Sequence, residues 1–116
     1  MGSQIINAAS PFADRNRLSA HPREMRRVVV ESPFAGDIEA NMKYARACLR
    51  DCLMRGESPV ASHLLLTQDG ILNDADPIER AVGINARHAW MHGAHAIVVY
   101  TDRGISEGMK AGIKSA

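Results

Sequence analysis

The sequence predicts an α/β domain, a three-layer sandwich in which a parallel sheet lies between helices. Three observations predict it. Apolar runs of strand length, Val28-Val29-Val30 and Ala96-Ile97-Val98-Val99-Tyr100, alternate with stretches whose apolar residues recur at helical spacing. The alternation reads βαβαβα, and each helical stretch is long enough to cross over between parallel strands. A chain of 116 residues, 46% hydrophobic and 23% charged, has the material for one core.

Residues 1–26 stand apart. Ser, Asn, Pro and His are scattered among four arginines, and no apolar period lasts beyond one turn, so they read as an N-terminal arm that is flexible or contacts a neighbouring subunit. The folded domain is expected over 27–116. Its first strand is the β-branched run that closes at Glu31, before Ser32-Pro33, with the apolar character of a strand covered on both faces. Asp37 then caps a helix to about Arg55, whose Ile38, Met42, Ala45, Leu49, Cys52 and Leu53 form one stripe and which Gly56 ends.

Pro59-Val60-Ala61 begins a short second strand leading into His63-Leu64-Leu65-Leu66, and the polar stretch from Thr67 to Asp76 reads as a surface loop of the kind that carries function. Asp76-Pro77-Ile78-Glu79 is a helix start with a capping box, and Gly93 ends that helix. Ala96–Tyr100 is the third strand. After the turn Asp102-Arg103-Gly104 a last helix starts near Ser106. The simplest order for these strands is 2-1-3, with the Val28 strand central and a ligand site beyond the carboxyl ends, where the first and third strands diverge.

Composition narrows the function classes. A formal net charge of +1 supplies no field to gather nucleic acid, which is not expected as a partner. The apolar runs fall far short of the roughly 20 residues that cross a bilayer, and no signal-peptide core follows the start, so a cytoplasmic protein with no membrane partner is expected. Cys48 and Cys52 share a helix face and read as buried reduced thiols. His88 and His92 have the i, i+4 spacing of zinc ligands, but no glutamate adjoins His88 and no third ligand is evident, so no metal is assigned.

The polar residues at the strand ends each support two readings. Small residues in Ser32-Pro33-Phe34-Ala35-Gly36-Asp37 let backbone N–H groups and a helix N-terminus approach a phosphate or sugar, and equally suit a plain βα turn with Asp37 as cap; the loop lacks the lysine of an ordinary P-loop. His63 is placed to donate to a ligand or shuttle a proton, or to brace the long loop. Asp102, Ser106 and Glu107 suit ribose hydroxyls or attack on a sugar carbon, and equally suit a helix start.

Three of these segments together resemble the nucleoside 2-deoxyribosyltransferase-like superfamily, and more closely an uncharacterised phage and bacterial domain related to it. The carriers are Val28-Val29-Val30-Glu31-Ser32-Pro33-Phe34-Ala35-Gly36-Asp37, then Ala61-Ser62-His63-Leu64, then Glu79-Arg80 and Val99-Tyr100-Thr101-Asp102-Arg103-Gly104-Ile105-Ser106, within 27–116. The resemblance implies a flavodoxin-like or Rossmann-like sheet without the superfamily's later strands, homo-oligomers with sites completed between subunits, and no metal or organic cofactor. It further implies that the first loop holds sugar and base, and that Glu107 stands where the enzymes carry their nucleophile. Gly104 lies three residues before Glu107, where those enzymes have a glycine four before.

The expected function is binding of a nucleoside- or nucleotide-like small molecule at the carboxyl ends of the strands, as a phage-encoded sensor or sequestering module. Ser32, Pro33, Phe34, Gly36, Asp37, His63 and Ser106 are the binding candidates. The alternative is an enzyme, a transferase or hydrolase of N-glycosidic bonds, with Glu107 as nucleophile and Asp102 holding the sugar; a structural protein without ligand is the third reading. Facing of Glu107 into a cleft favours chemistry, and its exposure to solvent favours binding. On the enzyme-like arrangement Ser32, Phe34, Asp37, His63, Asp102 and Glu107 line one cleft.

Overall fold

The computed structural model describes residues 4–12, 18 and 24–115. The arm reading for residues 1–3, 13–17 and 19–23 lies outside the described residues. The elements in chain order are β1 (Gln4–Asn7), β2 (Arg26–Glu31), α1 (Ile38–Met54), β3 (Glu57–Val60), α2 (Ser62–Leu65), α3 (Pro77–Gly93), β4 (Ala96–Val99) and α4 (Glu107–Ser115).

The four strands among the described residues are all parallel, in the order β1-β4-β2-β3. The order 2-1-3 is therefore corrected. β2 does lie between β3 and β4, but a further strand, β1, pairs on the far side of β4, with Ile5 opposite Ile97 and Ile6 opposite Val98. It comes from the stretch read as an arm. Four residues bonded to one neighbour need no long apolar period, which is why the pattern passed unnoticed. β3 begins at Glu57, two residues before the expected Pro59, and β2 at Arg26.

Alternation along β2 and β4 divides the core into two layers. Val28, Val30, Ala96, Val98 and Tyr100 pack with Tyr44, Cys48 and Cys52 of α1. On the opposite face Val29, Ile97 and Val99 meet Met91 of α3 and Met109 of α4. This is the three-layer sandwich. Cys48 and Cys52 are free and buried, and burial pushes both thiols up, Cys52 to about 12.

The helix starts follow their caps. Asp37 Oδ1 accepts from the Ala40 N–H at 3.1 Å, and Asp76 Oδ1 accepts from Ile78 and Glu79 at 2.8 and 3.3 Å. The capping box does not close, because Glu79 Oε1 instead accepts from the Asn73 N–H at 3.1 Å and braces the preceding loop. At the other end of α1 the Tyr100 hydroxyl lies 2.7 Å from Asp51 Oδ2, and Arg55 joins Asp51 and Glu57 at 3.0 and 2.7 Å. No described helix is long and apolar enough to cross a membrane.

Candidate functional site

β2 delivers two consecutive polar side chains to opposite faces at its carboxyl end. Ser32 is buried, and its hydroxyl is 2.9 Å from His63 Nε2 in the first turn of α2. The Phe34 ring meets the imidazole edge-on, with centroids 5.7 Å apart. Burial, assisted by the positive charge of Arg87, holds the His63 pKa down at about 4, so the ring is neutral near pH 7. Asn41 of α1 donates to the Phe34 and Ala35 carbonyls at 3.0 and 2.9 Å, pinning the loop to the helix it precedes. Pro33 is half-buried, and Gly36 takes a φ of 93° in the exposed turn.

The other side of Phe34 lines a cleft of about 570 Å³ between the start of α1 and residues 67–75. Phe34, Ile38, Met42, Ile71 and Leu72 give it apolar walls; Thr67, Asp69, Asn73, Asp74 and Glu79 supply polar groups, and no basic side chain among the described residues lines it. The 67–75 wall is braced from within. Leu72 N–H donates to the Leu66 carbonyl at 3.0 Å, Ala75 N–H to Asn73 Oδ1 at 3.0 Å, and Asp76 N–H to the Asn73 carbonyl at 3.0 Å. Gly83 of α3 permits the close approach of Leu72, whose Cδ1 would lie 3.3 Å from a β-carbon there. Asp37 sits beside this cleft with its carboxylate already on the α1 N-terminus, so that end of the helix carries its own anion.

The residues after β4 are held elsewhere. Thr101 and Asp102 N–H groups donate to the Ala9 carbonyl at 3.1 and 2.9 Å, and Thr101 Oγ1 is 3.2 Å from Asn7 Oδ1, so β1 and the residues after it draw this loop toward themselves. The Tyr44 hydroxyl donates to Asp102, and the Arg103 guanidinium lies 4.1 Å over the Tyr44 ring. Ser106 Oγ accepts from the Met109 N–H at 3.2 Å and so caps α4. The Glu107 side chain is 91% exposed and its nearest charge is Lys110 at 3.3 Å.

The six residues expected to share one cleft thus fall into three groups. Ser32, His63 and Phe34 are contiguous, with Phe34 on the 570 Å³ cleft. Asp37 caps α1, and Asp102 and Glu107 belong to the loop and helix after β4. The extra strand gives the physical reason, because the Asn7 side chain of β1 and the Ala9 carbonyl just after it offer the β4–α4 loop acceptors that the three-strand scheme did not contain.

Sequence reasoning passed over Glu31 and Arg87. Glu31 is 2% exposed at the end of β2, on the α3 and α4 face, and Arg87 Nε lies 3.7 Å from its Oε1. Burial raises the Glu31 pKa to about 7 against the partial opposition of Arg87. The available signal was a carboxylate directly after the apolar run Val28 to Val30. Among the described residues no group of three or more His, Cys, Asp and Glu side chains converges as a metal site.

A family model described as Domain of unknown function (DUF7768) matches residues 26–116, from the first residue of β2 through α4. No curated protein and no solved structure matches the chain.

Proposed function

The chain belongs to this family of domains of unknown function, DUF7768, and we propose for it a binding role: it holds an unphosphorylated nucleoside-like small molecule in the cleft between the Ser32–Asp37 loop and residues 67–75. One observation carries this reading, an aromatic and aliphatic wall faced by carboxylates with no basic side chain among the described residues of the lining. Phe34 offers a face for a planar base, with Ile38, Met42 and Leu72 excluding water around it. Asp69, Asp74 and Glu79 are acceptors for ribose hydroxyls or base N–H groups. A phosphate would meet like charge there, and the adjacent helix N-terminus is occupied by Asp37. The volume of about 570 Å³ lies in the ordinary range for small-molecule sites.

The exposure of Glu107 supports binding over N-glycosidic bond chemistry, since a nucleophile must reach a bound sugar carbon and this carboxylate faces solvent. A phage-encoded sensor or sequestering module needs only the binding step. The test is a thermal-shift series with nucleosides and their 5′-monophosphates on the intact chain and on Phe34→Ala. A nucleoside at 100 times its Kd adds about 2.7 kcal/mol of stability. Nucleosides are expected to raise Tm more than their monophosphates, and Phe34→Ala to remove the effect. Stabilisation by monophosphates alone, or by no member of the series, overturns the reading.

A further inference from the structure

The seat of α4 on the sheet is built around the carboxyl group of Glu31. Gly112, buried in α4, passes so close that a β-carbon at this position would lie 2.7 Å from the Glu31 carboxyl carbon and 2.9 Å from its Oε2. A side chain at position 112 would force either the helix or the Glu31 carboxyl group to move. Arg87 of α3 is the charged group facing the carboxylate, but 3.7 Å from Nε to Oε1 is too long for a hydrogen bond, and both atoms are buried without a hydrogen-bond partner. Among the described residues the rest of the packing brings no opposing charge: β4 places Val99 beside Glu31, α4 contributes Met109 and Gly112, and His63 of α2, in the field of the same guanidinium, is neutral.

A carboxylate packed under a helix with one oxygen buried and unpartnered is poorly accommodated, whereas the neutral acid sheds most of that cost. The Glu31 pKa, raised by burial to about 7, agrees with the geometry. The apolar hold on α4 is small, Met109 and Ile113 meeting the sheet-side cluster, so a modest change at Glu31 is able to decide whether the helix stays seated. We propose that α4 is a proton-gated cover over the carboxyl end of β2, seated while Glu31 carries its proton and lifted when Glu31 ionises and takes up water. Lifting frees Glu31 and Arg87 together, an acceptor and a donor side by side.

The sign follows from linkage. The seated state binds the proton more tightly than the lifted one, in which Glu31 returns toward 4.5, so seating is fullest below about pH 4.5 and is lost as pH rises to about 7. Hydrogen exchange on the full chain between pH 4.5 and 8, corrected for intrinsic rates, reads this directly. Protection of the Gly108–Lys114 amides should fall by up to about tenfold per pH unit and level off above pH 7, while α1 amides from Tyr44 to Cys52 keep theirs. Glu31→Gln should hold α4 at its low-pH protection throughout. Should that variant not fold, the carboxyl-carbon NMR titration of Glu31 in the unaltered chain should have its midpoint near 7, coincident with shifts of the α4 amides. Flat α4 protection, an unchanged slope in Glu31→Gln, parallel loss in α1, or a Glu31 midpoint near 4.5 each overturns the proposal.

Discussion

Ser32 Oγ and His63 Nε2 lie 2.9 Å apart, so one hydrogen bond ties the carboxyl end of β2 to the first turn of α2. The consequence reaches the cleft, because the imidazole that this bond fixes is the surface against which Phe34 stands. The aromatic wall rests on a neutral, partly buried ring. Any change that charges or removes His63 should therefore be felt both in stability and in the shape of the cleft.

Stability should show two opposing proton linkages. His63 titrates near 4 in the folded chain and near 6.5 when exposed, so its contribution is present above about pH 6.5 and is lost as pH falls toward 4. Glu31 has the reverse sign, with stability present below about 4.5 and lost as pH rises toward 7. Each slope is about 1.4 kcal/mol per pH unit where it acts alone. Their contributions should nearly cancel between pH 4.5 and 6.5. Urea denaturation across this range should find the slopes unmasked in opposite directions by His63→Gln and Glu31→Gln; slopes of the same sign would contradict the assignment.

Asp102 should act as a latch. Tyr44 is buried and donates its hydroxyl to this carboxylate, so Asp102→Ala leaves a polar group unpaired against the core and should cost about 1–2 kcal/mol. Nucleoside affinity should be unchanged, since the residue is absent from the cleft lining. Denaturation and calorimetric titration of the same variant separate the two effects, and a loss of affinity with full stability would restore Asp102 as a sugar-binding group.

Glu107→Gln should be nearly silent. The side chain is exposed and its partner is a surface lysine, so stability should move by less than about 0.5 kcal/mol and ligand affinity should not move at all. A large drop in affinity measured by calorimetry would return Glu107 to the site.

Much of this arrangement was legible because local chemistry and global fold agree. Asp37 and Asp76 announce helix starts that the structure realises, and Val28 to Val30 announces a strand covered on both faces. β1 was not legible, since Gln4–Asn7 holds only two apolar residues and gains its place from the register with Ala96–Val99. That single omission also hid where Asp102 and Glu107 lie, because the loop after β4 is held by Asn7 and Ala9. The cleft was half legible. The polar 67–75 stretch was read as a functional loop, but nothing in one-dimensional spacing told that Ile38 and Met42, counted as core stripe, would turn toward it. Arg87 was hidden for a related reason, because a lone arginine on a helix is ordinarily solvated and only the sheet placed it over Glu31.

The central claim is that the ligand site lies between Phe34 and the 67–75 loop and takes a nucleoside. Titration of the isotopically labelled chain with adenosine, guanosine, cytidine and thymidine, followed by amide chemical shifts, tests it residue by residue. The account predicts saturable shifts for at least one nucleoside, centred on Phe34, Ile38, Ile71 to Asn73 and Glu79, with Gly104 to Gly108 unmoved. Shifts centred on Asp102 to Gly108, or no saturable shift with any of the four, would contradict it.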